Sequence, residues 1–272
     1  MKLHRSPAGS KVNLAEIAPD GTGDYPANDK GKAAAEEDIQ ARLEKLKQLQ
    51  ERLYAGSTQA LLIVLQGMDT SGKDGTIKHV MSGVNPQGCR VTSFKVPTST
   101  ELAHDFLWRV HHEVPSRGII GIFNRSHYED VLVTRAHGQI TDKVAEQRLV
   151  HINNFEKLLA QSGVTVLKFF LHISKSEQRK RLEARLRDPE KQWKFNHGDL
   201  EERKLWSKYQ AAYEAAIATT STEYAPWYVV PANRKWYRNL VVATTVVTSL
   251  EKMKLKRVPP RGDIDLTKIK IE

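Results

Sequence analysis

The chain has 272 residues, and 42 Lys and Arg against 32 Asp and Glu give it a formal net charge of +10. Its 40% hydrophobic content is that of a globular protein, and no apolar run reaches the roughly 18 residues a membrane span needs. One cysteine, Cys89, excludes an intrachain disulfide. That cysteine count, and a start ("MKLHRSPAGSKVNLAEIAPDG") with no apolar core of a secretory signal, predict a cytoplasmic protein.

Residues 1–32 lack periodicity and read as an irregular arm on the surface. Residues 33–54 turn helical, with Ile39, Leu43, Leu46, Leu49 and Leu53 at steps of three and four. The unbroken apolar run 60–66, "ALLIVLQ", predicts a strand buried on both faces. Further strands are predicted over 90–96, 118–124, 165–173 and 227–232. Between them lie helical patterns. Thr98 and Glu101 have capping-box spacing ahead of Leu102, Phe106, Leu107 and Val110. Residues 143–160 form a second helix, Ser174 and Glu177 open a third, and 234–254 form a last long one with Trp236, Leu240, Val247 and Leu250 inward. Five strands alternating with helices predict an α/β fold with a five-stranded parallel sheet. The boundaries expected are one domain over 33–255, with an insertion inside it, and a tail over 256–272.

The stretch "QGMDTSGKDGTIKHV" carries G-x-x-x-x-G-K from Gly67 to Lys73, after a strand and before a helix. Glycines let backbone N–H groups turn onto phosphate oxygens, and the helix N-terminus adds positive potential. Gly67, Ser71, Gly72, Lys73, Gly75 and Thr76, with Lys78 beyond, are the candidate phosphate contacts. Two acids are out of place here. Asp69 beside a phosphate needs a cation between them, so it reads as a Mg²⁺ ligand or, alternatively, as a proton acceptor. Asp74 stands where a metal-binding hydroxyl is usual, and reads as an acid in the first helical turn.

The strand at 118–124 ends on Asn124, a neutral oxygen donor, and Arg125 follows as a candidate phosphate clamp or a surface ion-pair residue. Glu129 and Asp130 either restore negative charge there or simply begin a helix. Residues 175–209 hold eleven Lys and Arg against seven Asp and Glu. They read as two helices about Asp188-Pro189, with Asp199 and Glu202 capping the second. Arg181 and Arg185 share a face, suited to a lid over phosphates or to a solvated helix. Glu101, Asp105 and Arg109 are candidates for the acceptor. Glu101 also fits a capping role, and Asp105–Arg109 an i,i+4 ion pair.

Four separated stretches, "GMDTSGKDGTI", "FNRSHYEDV", "ISKSEQRKRLEARLRDPEKQWKF" and "TSTEYAPWYVVPANRKWYRN", together resemble the polyphosphate kinase 2 family. The resemblance spans roughly residues 33 to 255. It implies a thymidylate-kinase-like phosphate-loop fold with a helical lid. It also implies Mg²⁺-dependent phosphoryl transfer, with Mn²⁺ as a substitute, between inorganic polyphosphate and the nucleotides AMP, ADP and ATP. Asp69, Lys73 and Arg125 match the family's catalytic positions, Asp69 its metal ligand, and Arg181 and Arg185 its lid arginines. Many members have Asp at position 124 and Gly at 129. The Asn124, Glu129, Asp130 version resembles the subgroup accepting both AMP and ADP.

Two rivals remain at this level. An ATP-dependent nucleoside monophosphate kinase shares the loop and lid, but the acids and the missing hydroxyl after Lys73 count against it. A nucleic-acid-binding protein shares the charge, but the aromatic residues follow core patterns and do not alternate with basic ones. The helix at 33–54 and the C-terminal helix are surfaces on which a homo-oligomer is expected to form.

Overall fold

The computed structural model describes residues 4–259, 262 and 269; most of the tail expected over 256–272 lies outside the described residues. Five strands, β1 (Ala60–Gln66), β2 (Cys89–Ser93), β3 (Ile120–Asn124), β4 (Val164–His172) and β5 (Trp227–Pro231), form one parallel sheet in the order β2-β3-β1-β4-β5. All seven residues of β1 are buried. Leu62 and Val64 enter one core and Leu61, Ile63 and Leu65 the other, as the two-residue period of a strand requires.

The helices are α1 (Asp29–Gly56), α2 (Lys73–Val80), α3 (Ser99–Leu102), α4 (Trp108–His111), α5 (Glu129–Ala136) and α6 (Asp142–Gln161). They continue as α7 (Lys175–Arg187), α8 (Gly198–Lys204), α9 (Trp206–Thr220) and α10 (Lys235–Lys252). On one face of the sheet α1 packs along α10, and α2 joins them through Val80. On the other face α5, α6 and α9 pack together around Val131, Leu149 and Ile217. Among the described residues no helix is long and apolar enough to cross a membrane.

The sheet reverses its winding at β1, since β3 and β4 flank it, and ligands of parallel sheets bind at such a point. Register aligns Leu65 of β1 with Asn124 of β3, and Asn124 with Ser93 of β2. The loop after β1 and the residues after Asn124 therefore emerge side by side.

Four expectations are corrected. Asn28 caps α1, accepting from Gly31 N, so the helix starts at Asp29 and not at 33. The preceding arm does not simply lie on the surface. Arg5 bridges to Tyr228, Ser6 N bonds Trp227 O, and Leu14 is buried in the core, so the arm covers the β5 edge. The strand predicted over 90–96 ends at Ser93; Phe94 N still donates to Asn124 O, and 95–97 then leave the sheet toward the site. The helix predicted after Thr98 is two single turns, because Asp105 Oδ1 accepts from Leu107 N and starts a new turn.

The insertion also differs in detail. Asp199 lies inside α8 rather than capping it, and accepts from Arg185 Nη1. The chain then enters α9, whose Tyr209, Ala212, Tyr213 and Ala216 are core residues.

Candidate active site

Gly67 and Gly72 take φ of 150° and 105°, values that suit glycine. A Cβ on Gly72 would lie 1.9 Å from Arg238 Nη1, so the residue is also fixed by close approach. Thr70 takes a positive φ of 62°, a sparsely populated conformation for a residue with a side chain. Lys73, the first residue of α2, is buried and folds its Nζ back onto Gly67 O at 2.7 Å. Burial first, and then the Arg125 charge, lowers its pKa.

Arg125 follows β3 with φ of 64°, and its backbone N donates to Leu65 O. A left-handed arginine of this kind persists only where its surroundings over-determine it. They do so here, because Ser126, His127 and Tyr128 are wholly buried. Gln66 Nε2 donates to Ser126 Oγ, joining the end of β1 to this segment. The Arg125 guanidinium donates to Asp69 Oδ1 at 2.8 Å and has Glu129 at 4.0 Å. Burial pushes the Glu129 carboxyl above its usual range, although Arg125 and Lys73 oppose the shift.

Two cavities flank this pair. The first, about 720 Å³, runs past Gly72, Lys73, Asp74 and Gly75 and beneath α7. Nine cationic side chains line it against four carboxylates. Lys73, Arg125, Arg181 and Arg185 are four of the nine; Lys95, Lys191, Lys194, Lys235 and Arg238 are the rest. The second, about 460 Å³, has three cations and four carboxylates, with Met68, Phe94, Val96, Pro97, Leu102 and Val133 as apolar walls. Tyr209 and Tyr213 of α9 close it. Asp69, Phe94, Lys95 and Arg125 line both cavities, so the two meet at the Asp69–Arg125 pair.

The residues singled out from sequence fall into two groups. Gly67, Asp69, Gly72, Lys73, Gly75, Asn124, Arg125, Glu129, Asp130 and Arg109 all border a cavity. Ser71 is buried behind the loop, and Thr76 donates its hydroxyl to Gly72 O. Lys78 lies exposed in the last turn of α2 and borders neither cavity.

Glu101 closes a capping box with Thr98, which its spacing predicts, and Asp105 supports the Leu107 turn; neither borders a cavity. The expected Asp105–Arg109 pair is replaced by Arg109–Asp130 at 3.2 Å, because the break between α3 and α4 removes the i,i+4 geometry. Arg109 Nη1 donates to Lys95 O, and its guanidinium stands 5.5 Å over the Phe94 ring.

Arg181 borders the basic cavity but is chiefly a strap. Its N–H groups reach Glu177, Thr70 O, Ser71 O, Ala232 O and Asn233 O. A guanidinium has five N–H donors, so each already has a partner. The strap fixes α7 to the phosphate loop and to the end of β5.

Lys235 and Arg238 were not singled out from sequence. Burial, then the Arg181 and Arg238 charges, lowers the Lys235 pKa. Burial, then Arg181, lowers the Arg238 pKa to about 10. Like charges crowded this way make a site that gains when an anion enters. The signal was present in "NRKWYRN", whose basic residues open a helix otherwise rich in apolar residues.

A phosphate loop at the switch point of a parallel sheet, facing a basic cavity, defines a phosphate-loop kinase fold. Residues 28–258 match the family model described as polyphosphate kinase 2, and the chain belongs to that family. It is accordingly a phosphotransferase of that type. The "AMP/ADP-polyphosphate phosphotransferase" of Meiothermus ruber is 53% identical over 260 residues, 96% of each chain. The "ADP-polyphosphate phosphotransferase" of Rhodopseudomonas palustris is 47% identical over 229 residues, 80% of this chain and 79% of its own. The crystal structure of polyphosphate kinase 2 from Arthrobacter aurescens TC1 superimposes with a TM-score of 0.91 at 43% identity, covering 98% of this chain and 93% of its own.

Proposed function

We propose that the protein moves a phosphoryl group, reversibly and with Mg²⁺, from the end of inorganic polyphosphate to AMP and to ADP. One observation carries the reading: a strongly basic cavity and a mixed apolar one join at Asp69 and Arg125. The basic cavity suits a phosphate chain with about one charge per phosphate. The mixed cavity suits a nucleoside, with apolar walls for the base and Arg109, Arg125 and Lys95 for its phosphate. The names of the Meiothermus ruber and Rhodopseudomonas palustris relatives support the same substrates.

Lys73, Arg125, Lys235 and Arg238 hold the polyphosphate end in this reading, and Arg125 reaches the transferring group. Lys73 leaves Gly67 O for the phosphates when they arrive. Catalysis is then alignment and charge neutralisation, since phosphoryl transfer asks for little covalent help from the protein. Phosphoanhydrides stand on both sides, which favours reversibility. Segment 175–204 acts as a lid, its base strapped by Arg181 and its two arms joined by Arg185 to Asp199 and Lys194 O.

The donors at the junction fit Mg²⁺. It takes hard oxygen ligands, and holds to proteins through one or two carboxylates plus substrate phosphates. Asp69 is that carboxylate, one-fifth exposed and bordering both cavities. Held there, Mg²⁺ would supply positive charge that offsets the charge on the substrate phosphates. Arg125 meanwhile keeps Asp69 oriented. A cytoplasmic, homo-oligomeric enzyme with a single kinase domain that begins with α1 at Asp29 remains part of this proposal.

The test is AMP or ADP with polyphosphate and Mg²⁺, without ATP. Formation of ADP and ATP supports the reading. Phosphorylation of AMP only when ATP is supplied refutes it in favour of an ATP-dependent kinase.

A further inference from the structure

Asp74 has no role in the transfer just described, yet it borders the basic cavity, where a carboxylate repels phosphate. Its partners account for it. Oδ1 accepts from Asn124 Nδ2 at 2.8 Å, and Oδ2 lies 3.5 Å from Lys194 Nζ. The three residues come from α2, the end of β3 and the segment between α7 and α8. Asp74 thus joins the phosphate loop, the residue before Arg125, and the lid.

The chemistry of the pair fixes a geometry. An ionised carboxylate only accepts hydrogen bonds, whereas a side-chain amide offers N–H donors on one branch and an acceptor oxygen on the other. Facing Asp74, the Asn124 amide can present only its nitrogen, because a flip would set oxygen against oxygen. Fixing the nitrogen turns Asn124 Oδ1 to the opposite side of the planar group. Burial works against the Asp74 charge, but the Asn124 amide and Lys194 outweigh it, so its pKa is lowered and the acceptor state persists.

We propose that Asp74 is a positioning residue: it holds the Asn124 amide in one orientation, so that Asn124 meets the reactants as an oxygen acceptor, and through Lys194 it registers the lid on the loop. The difference matters at this place. An N–H₂ turned inward would bind a phosphate oxygen and compete with Arg125 and Lys73. An oxygen turned inward suits a hydrated divalent cation beside Asp69. Lys194 also offsets the charge of a carboxylate that would otherwise repel the polyanion, and the Asn124 amide occupies its other oxygen. The catalytic consequence rests on the proposed transfer reaction; the amide orientation does not.

Two measurements on the full chain test this. The first is the side-chain amide signal of Asn124 in ¹⁵N-labelled protein, assigned by its loss in N124D. It is expected to move in D74A. In the unsubstituted protein it is expected to titrate with Asp74, below the usual carboxylate range. A signal that neither D74A nor acid moves overturns the orientation, whatever the enzyme's activity.

The second is kinetics of D74A, N124D and the double D74N/N124D. N124D sets two carboxylates face to face. The double variant reverses the bond, with the amide at 74 donating to the carboxylate at 124. Each single variant is expected to lower kcat about tenfold, with KM for polyphosphate within about threefold, as for loss of one charge-assisted bond. The double variant is expected to return to within about threefold of the starting kcat. Recovery of this kind is foreign to a merely structural role. A double variant no better than N124D overturns the positioning role. Absence of any transfer from polyphosphate in the unsubstituted enzyme refutes the reaction instead, and the amide signal still decides the orientation.

Discussion

Arg125 Nη2 and Asp69 Oδ1 lie 2.8 Å apart at the mouth shared by the two cavities, one from the end of β3 and the other from the phosphate loop. The pair holds a planar, five-donor group and a carboxylate in fixed relation where the two cavities meet, the place that the proposed reaction assigns to the transferring phosphoryl. Replacing Arg125 by Ala is expected to lower kcat by roughly 10²–10³-fold, in line with loss of one preorganised transition-state donor. Arg125→Lys should not restore it, since an ammonium lacks the fork that addresses two oxygens. Steady-state rates with polyphosphate and AMP check both.

Binding of polyphosphate is expected to take up protons. Lys235 has a pKa below the ordinary lysine value, through burial and then the Arg181 and Arg238 charges, and Lys73 is lowered as well. A polyanion favours the charged forms and raises both values. Between the free and bound pKa the complex therefore holds more protons than the free protein. Affinity consequently falls as pH rises through that window. Calorimetry at a pH below the ordinary lysine range, in buffers of different ionisation enthalpy, should show the uptake, and Lys235→Gln should reduce it. Equal heats in all buffers would count against the cluster.

A buried ion pair packs against His127 and Tyr128, which follow Arg125 in the chain. Lys168 Nζ donates to Glu156 at 2.5 Å, to Thr220 O and to Tyr128 OH, with both charged residues wholly buried. His127 also meets Glu156. Lys168→Met alone strands a buried carboxylate and should cost about 3–5 kcal/mol. The double change Lys168→Met with Glu156→Leu should recover much of that. Denaturant titration of the three proteins measures the difference.

Gly72→Ala should weaken the site from behind. It forces a side chain into φ of 105° and against Arg238, whose Nη1 would be 1.9 Å away. Arg238 must shift, and it borders the basic cavity. A rise in KM for polyphosphate is expected, with a loss of stability of about 1–2 kcal/mol for a left-handed non-glycine residue. Kinetics and thermal unfolding on the same preparation separate the two effects.

Strand runs were legible because β1 and β4 are buried on both faces and so are apolar for most of their length, with Gln66, Lys168 and His172 as the buried polar exceptions. The phosphate loop was legible because its glycines, lysine and flanking elements are contiguous. The segment 98–111 was misjudged because its apolar spacing matched a helix, while one local bond at Asp105 broke it. Arg181 looked like a phosphate ligand because a helix face says nothing about what stands opposite. Here backbone carbonyls of the loop and of the two residues just after β5 stand there. Arg238 was missed because it is buried on a helix whose other inward residues are mostly apolar, and Lys235 because a basic residue in the first turn of a helix does not reveal which cavity it borders.

The sheet, the phosphate loop and the anomalous acids at 69 and 74 are readable from apolar runs, glycine placement and local charge. What those acids face is a matter of folding. Asp69 meets Arg125 across 56 positions, Asp74 meets Asn124 across 50, and Arg238 reaches Ser71 O across 167. Such pairings depend on how parallel strands align their ends and on which long side chains find room there. Neither property is written in the local pattern of residues.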